Sequence, residues 1–366
     1  MAHTYQVLFG DGAQAAEADF YDQLTSVEVE EHADLPGAIQ ITLPVTTDGT
    51  PGDGDLTVVS DQRFKPYARL AIVVSAQDQP DACIFDGFVL SHRIHQDCGT
   101  TSSSAQVWGQ DVSCLMNLEE KVHEWTKSDA GIANEIFGKY SFHAADDNGK
   151  DDSGPHPDTQ HTVMQRGTDA QFLRDRARRT GRLFRVCCDQ RAGANTGYFA
   201  KPNVEGDPKM TLVLNPAEDA NIDALDFSWD VARPTEVKAK ALVMSKEPVD
   251  GGSTTSSLTL LDSTPLSTFT GSTGAMTTRL TATVDGAGEL RTRAESLLAE
   301  ANWFVTCEGE GDLSRLNAVI RAGTLVRVNG AGRLHSGKYF VWSVRHVLTA
   351  DSHRMKFVLV RNAVGA

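Results

Sequence analysis

Segments in which apolar and polar residues alternate, at both ends of the chain, constrain the fold more than any other feature. Residues 39–43 read IQITL, and this period of two is typical of a strand with one buried face. Further strands are predicted to begin near Ala68, Cys83 and Ser104, each bounded by turn-forming residues. Residues 1–112 are therefore predicted to form a first antiparallel β-barrel domain.

The carboxy-terminal part of the chain shows the same alternation. A helix is predicted over 289–301, followed by the strand-like runs WFVTCEG, TLVRVNG, KYFVWSVRHVL and RMKFVLVR. Residues 206–366 are predicted to form a second β-barrel domain. Three runs of the first domain (ARLAIVV, DGFVLSHRIH, SAQVWGQD) occur in the same order as three of the second (GTLVRVNG, SGKYFVWSVRH, RMKFVLVR). An internal duplication and a chance likeness of two meanders both remain open at this point.

Helical spacing marks the middle of the chain, residues 113–205, which is predicted to be an α+β domain. One helix is predicted over 129–140. A second begins at a capping box made by Thr168 and Gln171 and ends at Gly181, because glycine readily takes the left-handed conformation that stops a helix. The predicted fold class is thus mainly β with an α+β middle.

A segment rich in serine and threonine interrupts the second β domain at about 250–280. Between Ser253 and Thr278, 15 of the 26 residues are Ser or Thr. We expect this insertion to be mobile, or ordered only against a neighbour, and to lie outside the core.

The charge balance argues against two classes of partner. Acidic residues outnumber basic ones 49 to 34, which gives a formal charge of −15. Binding to phosphate needs a local positive surface, so we expect no specific nucleic-acid binding. The longest apolar runs fall far short of the roughly 20 residues that span a bilayer, and the amino terminus has no secretory pattern. We therefore expect no membrane insertion, and synthesis in the cytoplasm.

The cysteines show no metal-binding or redox spacing. We expect them to be small buried side chains without disulfides, in a chain long enough to build its own core. They are Cys83, Cys98, Cys114, Cys187, Cys188 and Cys307.

One string approaches a phosphate-binding loop. In GRLHSGKY, Gly332, Gly337 and Lys338 match most of the pattern, but Tyr339 stands where Ser or Thr would bind magnesium. The run that follows is strand-like, whereas the motif requires a helix N-terminus. We interpret the string as a β-hairpin connection.

Two groups of residues have metal-ligating side chains but not the spacing of a metal site. Residues three apart on a strand face opposite sides, which separates the first group, and the second lacks the EF-hand spacing. The first group is His92, His95 and Cys98. The second is a loop, interpreted as solvated, that contains Asp146, Asp147, Asn148, Asp151 and Asp152. His156 and His161 fall in an adjacent Pro-containing loop and are also interpreted as non-ligands. We predict no metal site and no cofactor site.

No catalytic residues are predicted. The sequence lacks a G-x-S-x-G nucleophile elbow. Paired carboxylates of a glycoside hydrolase have no characteristic spacing, so a hydrolase stays open as an alternative. The basic helix with Arg174, Arg176, Arg178 and Arg179 either pairs with an acidic patch of a neighbouring subunit or lines a solvated face.

The run VMQRGTDAQFLRDRARRTGRLFRV resembles the central signature of the phage late control protein D family, the baseplate hub proteins of contractile tails. IFDGFVLSHRI, VWGQDVSCLM, DFSWDVARPTEVKAKAL, GTLVRVNG and SGKYFVWSVRHVL are similar to the family in the same order, over about 27–361. The matching signature residues are Gln165, Asp169, Phe172, Leu173, Gly181 and Phe184.

The resemblance implies a structural, non-enzymatic protein. Hubs of this family carry two β-barrel domains per chain and form homotrimers that join a hexameric inner tube to a trimeric spike. The chain ends at Ala366 without the fused needle of VgrG-like hubs, so a separate spike protein is expected, together with tube or tube-initiator and wedge proteins. A virion tail or phage-tail-like particle would be its location. The alternatives are a tail-associated cell-wall hydrolase and a carbohydrate-binding β module.

Overall fold

The computed structural model describes residues 5–46, 56–97, 103–150, 163–241, 249–270, 274–281 and 287–365. It is mainly β, with large antiparallel sheets and a helix-containing middle, which confirms the predicted fold class. The strands are β1 (Tyr5–Phe9), β2 (Gln14–Ala15), β3 (Ser26–His32), β4 (Ala38–Pro44), β5 (Arg69–Val74), β6 (Ala82–His95), β7 (Ser104–Asp111), β8 (Glu120–Trp125), β9 (His143–Ala144), β10 (Val163–Thr168), β11 (Leu183–Cys188), β12 (Asn195–Ala200), β13 (Thr211–Val213), β14 (Leu225–Trp229), β15 (Glu236–Ala241), β16 (Val249–Asp250), β17 (Thr264–Pro265), β18 (Thr277–Leu280), β19 (Val305–Asp312), β20 (Leu325–Asn329), β21 (Gly337–Leu348), β22 (His353–Arg361) and β23 (Ala363–Val364).

The helices cluster in the middle and around the second β region. The α-helices are α1 (Ala18–Gln23), α2 (Thr57–Ser60), α3 (Asp129–Lys139), α4 (Asp169–Thr180), α5 (Leu266–Phe269), α6 (Ala287–Ala301), α7 (Leu313–Leu316) and α8 (Gly332–His335), with 3-10 turns at Gln62–Phe64, Val112–Asn117 and Asp146–Gly149. The three helices predicted from sequence correspond to α3, α4 and α6. No helix of the described ranges is both long and apolar enough to cross a membrane.

One large sheet joins the two ends of the chain. Its strand order is β14-β19-β22-β21-β3-β4-β7-β6-β5-β1-β2, and β20 and β13 attach beside β21. The junction is the antiparallel pairing of β21 with β3, from Ser343 opposite His32 to Leu348 opposite Val27. The two predicted antiparallel β-barrel domains therefore share one continuous sheet, and no closed barrel is found among the described residues. Strand β20 pairs only with residues 337–340 of β21, so residues 343–348 are free to pair with β3 of the amino-terminal β region.

The sheet contains the same six-strand unit twice. We call β1 and β3–β7 the first module, and β13, β14 and β19–β22 the second module. Numbered along the chain, the strands of each module lie side by side in the order second, third, sixth, fifth, fourth, first. Only the first strand differs in direction: β1 is antiparallel to β5, whereas β13 is parallel to β20. The modules are consecutive neighbours in one sheet.

The hydrogen-bond register repeats as closely as the strand order. The pairing of β6 with β7 shifts between Val89 and Ser91, and that of β21 with β22 shifts between Val341 and Ser343. Around this bulge, FVLSHR at 88–93 corresponds to FVWSVR at 340–345. A β-bulge is a specific local feature, and a chance likeness of two meanders would not place it at the same position. The structure thus favours an internal duplication.

The two modules share one hydrophobic core, and the middle region has another. The shared core combines, among others, Tyr5 and Phe64 with Tyr339 and Phe357. The middle core lies between α3, α4 and two small sheets (β8 with β10, and β9 with β12 and β11), and it contains Phe137. The boundaries at 112 and 205 stay predictions.

The Ser/Thr-rich insertion is partly core, which corrects the expectation from its composition. Leu266 is fully buried in the shared core. Strand β17 pairs with β23, and Asp262 forms an ion pair with the buried guanidinium of Arg361. A few apolar side chains and one carboxylate therefore order a segment that its overall composition marks as polar. Residues 271–273 of the insertion lie outside the described residues.

The predicted boundaries of α4 are confirmed in detail. Thr168 Oγ1 accepts a hydrogen bond from the Gln171 backbone N–H (3.2 Å), and Gln171 Oε1 accepts one from the Thr168 N–H (3.3 Å). Gly181 ends the helix with φ +68°. The five described cysteines are free thiols, four of them buried and Cys187 half-buried; Cys98 lies outside the described residues.

Candidate assembly surface

The rejected metal candidates do not come together. His92 Nε2 lies 2.5 Å from the carbonyl oxygen of Phe64, whereas His95 Nε2 faces solvent, 3.3 Å from Asp97 Oδ1. Cys98, His156 and His161 lie outside the described residues. In the part of the chain that the structure describes, no three His, Cys, Asp or Glu side chains form a group that could hold a metal ion.

The acidic loop after α3 has a structural role that the sequence did not indicate. Asn148 is fully buried and donates through Nδ2 to Asn134 Oδ1 (2.9 Å) and the Gly197 carbonyl (3.0 Å), while its Oδ1 accepts from the Phe199 N–H (2.7 Å). The interpretation of a wholly solvated loop is thus wrong for this residue. Asp146 and Asp147 share its 3-10 turn, and residues 151 and 152 lie outside the described ranges.

The phosphate-loop-like string connects two antiparallel strands, as predicted. The single turn α8 lies between β20 and β21, and Gly337 and Lys338 already belong to β21. The residues after Lys338 continue as strand, so the backbone N–H groups of a helix N-terminus are not available to a phosphate there.

The arginines of α4 are directed partly into the protein, which neither interpretation of this helix anticipated. Arg176 forms a buried ion pair with Asp129 (2.6 Å), and Arg174 packs over the ring of Phe184. Burial lowers the pKa of Arg174 from its ordinary value. Only Arg178 and Arg179 are exposed.

Gln165 and Asp169, two of the residues that carry the resemblance to the late control protein D family, form a buried polar network. Gln165 accepts from Trp125 Nε1–H (2.9 Å) and donates to Asp169 Oδ1 (2.7 Å). Asp169 Oδ2 accepts from Lys121 Nζ (2.6 Å) and from the hydroxyl of Tyr140 (2.8 Å). Burial raises the pKa of the Asp169 carboxyl, but these hydrogen bonds outweigh it and hold the pKa below its usual range. The network fixes α4 to β8 and α3, so the signature is structural.

The polar face of the large sheet is the most extensive candidate surface. Across the second module and β3 it forms an open groove of about 840 Å³. The groove is floored by side chains that alternate with the core residues of each strand. Its charged members are Glu30, Asp226, Glu308, Glu310, Asp312, Arg345, Arg354 and Lys356, with Asp223 and Arg315 at its rim.

Charges on this face are arranged in stripes along the strands. Strands β14 and β19 carry acidic residues, β22 and β21 carry basic ones, and β3 is acidic again. Neighbouring stripes form ion pairs: Arg354 with Glu310 (3.2 Å), and Arg345 with Glu28. On β4 and β7 the face is uncharged and includes the exposed Trp108. The face is therefore not uniformly acidic, despite the net charge of the chain.

A buried ion pair stabilises the junction between the modules from the core side. Arg321 Nε donates to Glu31 on β3 (2.7 Å), and His346 Nε2 on β21 lies 3.6 Å from the same carboxylate. Burial alone would raise the pKa of Glu31, but Arg321 and His346 lower it to about 2. Trp342 at the bulge packs edge-on against His32 across the junction.

Solved structures with the same fold include tail and secretion-system proteins. The chain is similar to the tail protein from Neisseria meningitidis MC58 (TM-score 0.66, 14% identity, covering 98% of this chain and 97% of that chain). It is also similar to the 43 kDa tail protein of prophage MuSo2 from Shewanella oneidensis (0.64, 12%, 98% and 99%). An E. coli component of the type VI secretion system, itself described as similar to T4 bacteriophage tail proteins gp27 and gp5, matches with a TM-score of 0.56 (13%, 93% and 73%). Because these sequence identities are only 12–14%, the similarity shows that this chain has the same fold as these proteins.

The fold defined by these strands is thus that of phage tail proteins and their secretion-system counterparts. The sequence model of the family described as the Alg8 N-terminal domain matches residues 6–350, and the chain belongs to this family. No curated protein gives a significant match.

Proposed function

We propose that this protein is a structural baseplate hub of a contractile phage tail or phage-tail-like injection system. It forms a homotrimer that joins a hexameric inner tube to a trimeric spike. The observation that carries this proposal is the duplication: two modules with the same strand order lie side by side in one sheet. Three such chains supply six equivalent modules, so a sixfold surface and a threefold assembly coexist in one ring.

The assignment to the late control protein D type is part of the proposal. It is supported by the common fold of tail proteins and by the signature residues, whose buried network orders the middle region. The boundaries 1–112, 113–205 and 206–366 remain our proposed division, with each module inside one β region. The partners proposed are a separate spike protein, an inner tube or tube-initiator protein and wedge proteins. Assembly takes place in the cytoplasm, and the protein acts without enzymatic activity.

The polar sheet face is proposed to line the central passage of the ring. Part of its charge is neutralised within the sheet, by the ion pairs of Arg354 with Glu310 and of Arg345 with Glu28. A wall of this kind offers little to hold a passing polymer of either sign. Cargo or nucleic acid would pass without specific binding.

The native mass of the purified chain, measured by light scattering, tests the proposal. A trimer whose electron-microscopy class averages show a six-lobed ring is the expected result. A monomer or a true hexamer would contradict it, and so would lysis of peptidoglycan by this chain alone in a zymogram, which the cell-wall hydrolase alternative predicts.

A further inference from the structure

Several strand edges of the large sheet lack a partner strand in the part of the chain that the structure describes, and those of β6 and β14 are two of them. On β6, residues 91–95 pair with β7 on one side, while β5 ends opposite Phe88 on the other. Strand β14 pairs with β19 on one side, and no strand lies on its other side. A free edge presents unpaired N–H and C=O groups that are ready to pair with another chain.

These two edges are equivalent to the two strands that meet at the internal junction. The shared register makes β6 the counterpart of β21, with Arg93 at the position of Arg345. It makes β14 the counterpart of β3, with Asp226 at the position of Glu28, since each lies opposite the corresponding residue of the next strand. At the internal junction, Arg345 forms an ion pair with Glu28. The free edges thus carry the same pair of opposite charges.

The core side of the free edges is less covered than that of the junction. On β3, Val27 and Val29 are fully buried, whereas their counterparts Leu225 and Phe227 on β14 are only half-buried. The residue at the β-bulge is also more exposed at the free edge than at the junction. Trp342 packs against the neighbouring module, whereas its counterpart Leu90 is 38% exposed.

A polar group near the β14 edge also lacks a partner. Trp229 occupies the position of Glu31, and its Nε1–H is buried without an acceptor among the described residues. Apolar surface and an unpaired donor at an edge strand are both features of an interface.

We propose that β6 of one copy pairs antiparallel with β14 of the next copy, repeating the β21–β3 junction between subunits. In this register Arg93 lies opposite Ser228 of the partner copy, as Arg345 lies opposite Glu30, and forms an ion pair with Asp226 diagonally across the strands. Ser91 then lies opposite Asp230, and His95 opposite Asp226. This pairing would be the contact between subunits of the hub, and the inference rests on the proposed hub function.

The pairing is head-to-tail, and it closes into the ring of the proposed hub when three rotations between copies complete one turn. Each copy offers one β6 edge and one β14 edge, so adding a copy always leaves one of each until the ends meet. The two edges have opposite charges, so β6 against β6 and β14 against β14 are disfavoured. The polar face of each copy continues into the next without a change of side.

Cysteine pairs test the register directly. Directly opposed residues of an antiparallel pair have Cα atoms about 4.5–5.5 Å apart, which suits a disulfide. The double variant Arg93→Cys/Ser228→Cys, oxidised with copper phenanthroline, should give covalent dimers and trimers on a non-reducing gel. Arg345→Cys/Glu30→Cys is the positive control and should give an intramolecular bridge in a monomeric band. Arg93→Cys/Thr306→Cys is the negative control, because Thr306 lies one strand further inward, opposite Ser228.

Charge reversal tests the ion pair. Arg93→Asp should weaken association of the copies at least tenfold, and Arg93→Asp/Asp226→Arg should recover most of the loss. Arg166→Asp, at an exposed site on β10, should leave association unchanged. All charge variants should keep the far-ultraviolet circular dichroism spectrum of the wild type, since Arg93, Asp226 and Arg166 are exposed. The thermal midpoint should fall only in the variants that lose association, because association stabilises the folded copies.

The outcomes separate this inference from the proposed function. If wild-type protein is trimeric but Arg93→Cys/Ser228→Cys links no more than Arg93→Cys/Thr306→Cys, the strand pairing is wrong while the hub proposal stands. If wild-type protein remains monomeric, the hub proposal itself fails. Loss of the trimer in Arg93→Asp without recovery in the reversed pair would contradict the assigned ion pair.

Discussion

Tyr67 and Gly323 occupy the same position in the two modules. Both have positive φ, +62° and +77°. The Tyr67 N–H donates to the Val89 carbonyl (2.7 Å) and the Gly323 N–H to the Val341 carbonyl (2.8 Å), in each case just before the bulge. The duplicated fold thus requires a left-handed residue here, and the second module has the residue that takes it without steric cost.

Substitutions at these two positions should have unequal effects on the free energy of unfolding. Gly323→Ala is expected to lower the free energy of unfolding by about 2 kcal/mol, because a Cβ at positive φ is strained and would lie against the Arg185 guanidinium. Tyr67→Gly should change it by less than about 1 kcal/mol, since relief of strain offsets the added chain entropy. Urea denaturation measures both. Equal destabilisation by the two changes would contradict the equivalence.

The insertion should contribute to the core despite its composition. Leu266→Ala is expected to lower the free energy of unfolding by about 2–4 kcal/mol, because it empties a fully buried position. Leu260→Ala, at a site that is 42% exposed, should cost less than about 0.5 kcal/mol. A small effect at Leu266 would show that the segment packs only loosely.

His353 should make stability depend on pH. Burial, reinforced by neighbouring His346, lowers the pKa of His353 to about 3, whereas the unfolded chain takes up this proton near pH 6.5. The contribution is present above pH 6.5 and is lost as the pH falls towards 3. From pH 7 to pH 5 it amounts to about 2 kcal/mol.

Unfolding curves at several pH values, for wild type and for His353→Gln, measure this contribution. The variant should lose less stability between pH 7 and pH 5 than the wild type. His143→Gln, at an exposed site on β9, serves as the control and should keep the wild-type slope. An unchanged slope in His353→Gln would assign the pH dependence to other groups.

The Asp169 carboxylate should be a structural centre of the middle region. Asp169→Asn removes the charge that accepts from Lys121 and is expected to cost about 2–3 kcal/mol. Asp175→Asn, on the exposed side of the same helix, should be within about 0.5 kcal/mol of the wild type. If the two variants unfold alike, the network does not stabilise the fold.

Local patterns predicted local structure well and long-range pairing poorly. The capping box at Thr168 and the glycine stop at Gly181 depend on neighbours along the chain, so α4 was predicted to its ends. The junction of β21 with β3 joins residues more than 300 positions apart, and alternation shows only that each strand has a buried face. Alternation therefore predicts the strands of both β domains but not the continuous sheet that joins them.

One sequence signal does point to the candidate surface. The repeated F-V-x-S-x-R string contains both the bulge and the arginine of each junction strand. Its acidic counterparts, Glu28 and Asp226, have no comparable motif, because a single carboxylate on an exposed strand face is common. The polar role of Asn148 was likewise hidden in an acidic loop.

The internal β21–β3 pairing has a consequence for assembly at low protein concentration. In the proposed ring, half of the seams lie within single polypeptides and hold at any dilution, because the covalent chain keeps their two sides together. Only three encounters between free molecules are needed to complete a sixfold circumference. Fusing two modules in one gene product therefore lowers the order of the assembly reaction from six bodies to three.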